Sequence, residues 1–243
     1  MKGIKFVSGE PALYINGART LAIGDLHLGM EVKLAEHGLH FANVSAKMAE
    51  SIRRICEKTG AKHLALLGDI KDSIGYPTAQ ELDSIKEFFE GLKGIEITAI
   101  KGNHDAHLED IFKRIGERLE IRKEIRIGNV TLLHGNALPS SAALEGRHIV
   151  TAHGHIAVKD VDGIKKAWLV AVAGQKAESF CKTYNHGIEL VVMPAFSPLI
   201  TGSEVNAGTK SHMPLLSRGI FDFDSAGVYS LGGKFIARAG ELA

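Results

Sequence analysis

Nine side chains able to bind a metal or move a proton stand at the ends of five short apolar runs in this 243-residue chain. Asp25 and His27 close "RTLAIGDLH" (19–27), and Asp69 closes "AKHLALLGD" (61–69), with Asp72 three residues on. Asn103 and His104 follow "IEITAI" in "IEITAIKGNHD" (95–105), His134 ends "NVTLLHG" (129–135), and His153 and His155 end "RHIVTAHGH" (147–155). Polar side chains placed there without a metal, substrate or water partner would be costly. Mixed His, Asp and Asn donors suit borderline divalent metals such as manganese, iron, zinc or nickel. The lack of cysteine donors argues against a structural zinc site. Two Asp, one Asn and four or five His are too many for one tetrahedral ion. They fit two ions sharing a carboxylate, of the kind that lie ~3.5–4 Å apart.

The runs themselves are β-rich and bounded by turn residues, so each reads as a buried strand, as does "IELVVMP" (188–194). Residues two apart on an extended segment point to one side, which predicts that Asp25 with His27, and His153 with His155, aim at common spots. All five clusters sit at carboxyl ends of strands, where α/β sheets bind ligands. Helices separate the early strands. Asn43 is placed to cap one running to Thr59, with Val44, Met48, Ile52 and Ile55 on one face and Gly60 as its stop. Thr78 and Glu81 form a capping box for a second, and a third covers roughly 107–116. Beyond residue 117 the pattern turns to strands and turns, with hairpins expected at 4–15, 119–131, 156–172 and in the tail "GIFDFDSAGVYSLGG". An α/β first half and a β-rich second half predict one domain over 1–243, built of stacked sheets flanked by helices.

Composition narrows the class. With 45% hydrophobic and 23% charged residues the chain reads as an ordinary globular protein, and a formal net charge of +1 gives no broad basic surface for non-specific DNA binding. Cys56 and Cys181 form no Cys-x-x-Cys pair, no signal peptide is evident, and the longest apolar run, "AWLVAVAG" (167–174), is too short for a bilayer. The expectation is a cytoplasmic protein without a membrane partner.

Taken in order, "GDLH", "GDIKD", "GNHD", "LHG" and "AHGH" over residues 24–155 resemble the motifs of the calcineurin-like metallophosphoesterases. The later "VVMPAFSPLITGSEVN" (191–206) is similar to small archaeal phosphoesterases described as SbcD-related, and through them to bacterial DNA-ligase-associated metallophosphoesterases. The resemblance implies a four-layer αββα sandwich of two mixed sheets. It implies Asp25, His27 and His155 on one metal, Asn103, His134 and His153 on the other, and Asp69 bridging them. It further implies two divalent ions, manganese foremost, and hydrolysis by in-line attack of a metal-bound hydroxide. His104 would be the general acid, oriented by Asp72, and Asp105 would fix its loop.

The related bacterial proteins tend to carry proline where this chain has Ile156, a position that contributes no ligand. Phosphatases of the superfamily often place Arg-Gly after the second aspartate motif; "GDIKDSIG" has none, which tilts the reading from terminal phosphates towards diesters. A nuclease linked to DNA repair is the reading favoured by the relatives. The alternatives are a phosphomonoesterase, a nucleotide or lipid-linked pyrophosphatase, or a non-catalytic scaffold of the same fold. No ligand position is lost, which counts against the scaffold. Ser197 and Asn206 are the substrate-contact candidates in the 191–206 stretch. Lys159, Lys165, Lys166, Lys176 and Lys182 form either a solvated face or a phosphate-attracting wall, and His37, His40, His63, His107, His148, His186 and His212 read as surface or packing residues. If DNA is the substrate, a second copy of the chain or a repair-protein partner would position it.

Overall fold

A computed structural model describes residues 3–207 and 213–242; His212 lies outside them. Strands β1 (Ile4–Phe6), β2 (Leu13–Ile15), β3 (Thr20–Ile23), β4 (His63–Leu67), β5 (Glu96–Ile100) and β6 (Glu120–Arg122) form the first sheet in chain order. It is antiparallel from β1 to β3 and parallel from β3 to β6. The second sheet comprises β7 (Glu124–Ile127), β8 (Val130–Leu133), β9 (His148–Thr151), β10 (Ile156–Asp160), β11 (Gly163–Val172), β12 (Glu189–Val192) and β13 (Ser203–Glu204), in the order β13-β10-β11-β12-β9-β8-β7. β14 (Gly227–Ser230) pairs with β11 and with β15 (Phe235–Arg238).

Period-two alternation builds the layers. On β4, Leu64 and Leu66 join the core under the helices, while Ala65 and Leu67 join the core between the sheets. The helices of that outer layer are α1 (Met30–Glu36), α2 (Val44–Thr59), α3 (Ala79–Gly91) and α4 (Leu108–Ile115). Met48, Ile52 and Ile55 of α2, Ile85 and Phe88 of α3, and Ile111 and Phe112 of α4 are buried there. Between the sheets, Leu13, Leu67 and Ile100 meet Leu132, Trp168 and Met193, and Phe6 stacks on Trp168 at 4.2 Å. The far face of the second sheet is covered by loops and the short helices α5 (Ala177–Phe180), α6 (Pro214–Ser217) and α7 (Ala239–Leu242), so the fourth layer of the αββα sandwich is thin. No described helix is long and apolar enough to cross a membrane.

Several expectations change in detail. The Thr78–Glu81 capping box and the stop at Gly60, with φ of 72°, form as read. Asn43 precedes α2 but makes no side-chain cap, because its backbone is left-handed. The 119–131 stretch is not one hairpin. β6 pairs parallel with β5 in the first sheet, and after Lys123 the chain enters the second sheet, where β7 pairs antiparallel with β8. The tail hairpin falls at β14 and β15, later than the quoted stretch begins.

Candidate metal centre

The carboxyl ends of β3, β4, β5, β8 and β9 meet at one rim, and the predicted ligand side chains converge there. Ligand atoms of Asp25, His27, Asp69 and His155 lie within 4.8 Å of one another, as do those of Asp69, His134 and His153, with Asp69 in both groups. His155 Nε2 is 3.4 Å from Asp25 Oδ2, His27 Nε2 is 3.8 Å from Asp69 Oδ2, and His134 Nε2 is 3.3 Å from the same oxygen. Asn103 brings its Oδ1 to 3.1 Å from His134 Nε2.

The route to this convergence differs from the extended geometry read in the sequence. β3 ends at Ile23 and β9 at Thr151, and Asp25, His27, Asp69, His153 and His155 all adopt left-handed φ between 43° and 61°. Such values are uncommon outside glycine, with Asp, Asn and His the most tolerant types, and they gather where function over-determines the backbone. Backbone bonds fix them here. Asp25 N–H donates to Gly68 O at 3.1 Å, and His27 N–H to Asp69 O at 2.9 Å. His153 N–H donates to the Asp25 carboxylate at 3.0 Å, and His104 N–H to Asp69 Oδ1 at 3.0 Å. Asp25 and the bridging candidate Asp69 therefore hold their neighbours' backbones as well as lining the rim.

Donor chemistry fits two metal ions. His27 Nδ1 is bound to Asp72 Oδ1 at 3.1 Å, and its Nε2 is buried without a hydrogen-bond partner; His155 Nε2 is likewise an orphan. A histidine whose second nitrogen is held by a carboxylate is the usual arrangement around a metal. His134 Nδ1 donates to Leu67 O at 2.8 Å, which turns Nε2 to the rim. Burial, with His134 beside it, lowers the His153 pKa to about 4, so that ring is neutral and free to ligate. Against the upward push of burial, His134 and then His104 hold Asp69 well below the usual carboxylate range. Burial pulls His134 down, but its bond to Asp69 prevails and its pKa is raised.

Around this centre the other predicted side chains make contacts of their own. His104 Nδ1 contacts the backbone carbonyl of Asp72 at 2.5 Å, not its carboxylate. That carboxylate instead holds His27 and takes Lys33 Nζ at 2.5 Å; burial opposes its ionisation, but the two bonds bring its pKa down to about 2. Asp105, fully buried, accepts from Ile70 N–H at 2.9 Å and Gly102 N–H at 2.8 Å, pinning its loop as expected. Ser197 is fully buried, with its N–H donating to Asp25 O, and both ends of the Asn206 amide are taken by the Lys159 backbone. The lysines of the second half form no common wall. Lys166 donates to Ala195 O and Ser197 O, Lys165 pairs with Asp160 and Asp162, and Lys176 lines a separate hollow with Arg218 and Asp222. Among the other histidines, His63 bridges Thr20 and Thr98, and buried His148 lies 3.2 Å from Glu189.

Lys33 and Lys71 escaped the sequence reading as parts of the site. Lys71, inside "GDIKD", carried a signal: a cation between two site carboxylates. Lys33 carries none, since only folding brings α1 to the rim.

A family model described as calcineurin-like phosphoesterase matches residues 18–221. The crystal structure of Pseudomonas putida nuclease MPE is similar in fold, with a TM-score of 0.61 over 93% of this chain and 91% of that chain at 15% identity. YfcE, a phosphoesterase from E. coli, covers 90% of this chain and 96% of its own with a TM-score of 0.40 at 14% identity. No curated protein sequence matches the chain.

Proposed function

The chain belongs to the calcineurin-like phosphoesterase family and is a metal-dependent phosphoesterase; we propose that it hydrolyses phosphodiesters at a dinuclear centre, with nucleic acid or nucleotide diesters as the substrate class. The observation that carries this reading is the pair of donor groups sharing Asp69, with His104 beside them. Asp25, His27 and His155 would hold one ion, Asn103, His134 and His153 the other, and Asp69 both. When bound, the ions would stabilise charge on the phosphoryl oxygens and acidify the attacking water, with manganese the metal we propose.

The chain's own residues do the rest. Asp72 fixes the ring of His27 through Nδ1, and Leu67 O fixes that of His134. His104 donates from Nδ1 to Asp72 O, so in the imidazolium form, with a second proton on Nε2, Nε2 is the atom that would give its proton to the leaving oxygen. A terminal phosphate dianion calls for a free cationic fork. The lysines around this site are committed elsewhere: Lys33 to Asp72, Lys71 to backbone carbonyls, Lys166 to Ala195 and Ser197. That supports a diester over a monoester. Nucleic acid as the diester is further supported by the likeness in fold to the P. putida nuclease. Both cysteines are free and buried, in keeping with a reducing, cytoplasmic setting.

The test compares bis-nitrophenyl phosphate with nitrophenyl phosphate in manganese, then single-stranded DNA. Faster turnover of the bis-ester is expected. Preference for the mono-ester would replace this reading with a phosphomonoesterase, and inactivity on all three in a manganese-loaded protein would favour the scaffold.

A further inference from the structure

Lys71 is the only lysine with no exposed surface among the described residues. Its ammonium lies in a cage of backbone oxygens. Nζ donates to Ser73 O, to Ile74 O at 3.3 Å, to Gly75 O at 3.0 Å and to His104 O at 2.5 Å. The first three acceptors belong to the loop after β4, and the fourth belongs to the loop after β5. A single cation therefore ties the second motif loop to the third. Buried cations are costly unless fully bonded, and a cation used only to stop a loop would need just the acceptors of its own segment.

The surroundings hold this cage closed. Asp105 Oδ1 accepts from Ile70 N–H and from the Lys71 N–H at 3.4 Å, so the same two loops are joined a second time from below. Glu81, 3% exposed, takes the Ser73 hydroxyl and the Thr78 N–H, anchoring the far side of the caged turn to α3. Between the two cross-links sits His104. Its carbonyl is held by Lys71, its N–H by Asp69 Oδ1 at 3.0 Å, and its Nδ1 by the carbonyl of Asp72, the residue next to Lys71. Each of these hydrogen bonds to the His104 backbone and ring comes from the loop that Lys71 organises, while the ring of His27 packs edge-on against it at 4.9 Å.

We propose that Lys71 is a positioning residue for proton transfer: its ammonium sets the height of the Asp72 carbonyl and of the His104 backbone, and so aims His104 Nε2 at the leaving oxygen. This rests on the reading of His104 as the general acid. Lys71 touches neither the reacting atoms nor any of the ligand side chains in the contacts above. Its removal should therefore leave metal binding in place and impair the step that needs a proton.

The experiment uses Lys71→Met and Lys71→Gln, the second keeping two N–H donors in the cage, beside wild type and His104→Ala. Manganese binding is followed by calorimetry, and turnover is measured on bis-nitrophenyl phosphate and on a dinucleotide with an alkoxide leaving group. A misaimed group costs about 10–10²-fold, so that loss is expected on the dinucleotide, with a much smaller one on the nitrophenyl ester. Manganese stoichiometry should stay at the wild-type value. Lys71→Gln should fall between, and adding Lys71→Met to His104→Ala should cost little more. Equal losses on both substrates, or loss of metal, would overturn the proposal. Should neither variant fold, wild type still decides: an ammonium in this cage gives a slowly exchanging lysine side-chain ¹⁵N signal that shifts in His104→Ala, and its absence overturns the proposal. Wild type inactive on both diesters would instead strike at the diester reading, and the ¹⁵N measurement would remain.

Discussion

Among the residues of the rim, Asp72 and His104 show how a carboxylate and a carbonyl of one residue divide two tasks. The Asp72 side chain serves His27, a ligand candidate, and its main chain serves His104, the acid candidate. Substitutions at the two sites should therefore fail differently. His104→Asn is expected to lower turnover by ~10²–10⁴-fold on poor leaving groups, less on nitrophenolate, with metal content kept. Equal loss on all leaving groups would remove His104 from the role of acid. Asp72→Asn keeps the carbonyl but weakens the grip on His27. It should cost ~10–100-fold in metal affinity, as outer partners of metal-bound histidine do, and leave the leaving-group dependence at the wild-type slope. A steeper slope in that variant would return the carboxylate to the role of orienting His104. Asp69→Asn, at the position shared by both donor groups, should lose metal and rate together, seen as a fall below two manganese ions per chain.

At the scale of elements, the strand ends must come close enough for side chains from different strands to share an ion, and the glycines of the motifs make room. A Cβ on Gly68 would lie 2.5 Å from His134 Nδ1, and one on Gly102 would lie 2.3 Å from both the N and the Oδ1 of Asp69. Neither neighbour is a flexible tip that can swing away. Gly102→Ala should thus push the β5 loop off Asp69, weaken manganese binding and lower the melting temperature; unchanged calorimetric binding would show that the loop yields. The apolar runs and their polar ends made these strands legible, because the side chains of β4 alternate between the two cores as the period-two pattern requires and the caps at Thr78 and Gly60 obey local rules. Two things were not legible. The extended alternation assumed for Asp25 with His27 gives way to left-handed turns because their N–H groups bond across to Gly68 and Asp69, partners 43 or so positions away along the chain. The split of 119–131 between two sheets depends on which neighbour offers a free edge, β5 for β6 and β8 for β7. The burial of Ser197 has a similar origin: a serine in a loop looks exposed until the loop packs on Asp25.

For the whole molecule, the rim is where stability and metal binding meet. Five residues held at left-handed φ each cost of order 1–2 kcal/mol, and a bound ion at a hundred times its Kd returns about 2.7 kcal/mol. Without metal, His134 has oxygen acceptors at both nitrogens: Leu67 O at Nδ1, and Asn103 Oδ1 and Asp69 Oδ2 at Nε2. That geometry suits a doubly protonated ring, in line with its raised pKa. A group whose folded pKa is raised adds stability that is complete below its unfolded value, about 6.5 for histidine, and that fades as pH climbs through the folded value. The metal-free protein therefore loses the His134 contribution as pH rises. A metal ligand must be deprotonated, so ion binding gains over the same interval, while His153, with its pKa near 4, is already neutral throughout. The two trends add. The rise in melting temperature on going from chelator to manganese should grow between pH 5.5 and pH 8, and calorimetric titrations in buffers of different ionisation enthalpy should report net proton release near neutral pH. His134→Asn should flatten the first dependence and abolish most of the second. A melting shift that is independent of pH in the wild-type protein would mean that His134 is neutral before the ion arrives, and that the Asp69–His134 pair is not what metal binding has to displace.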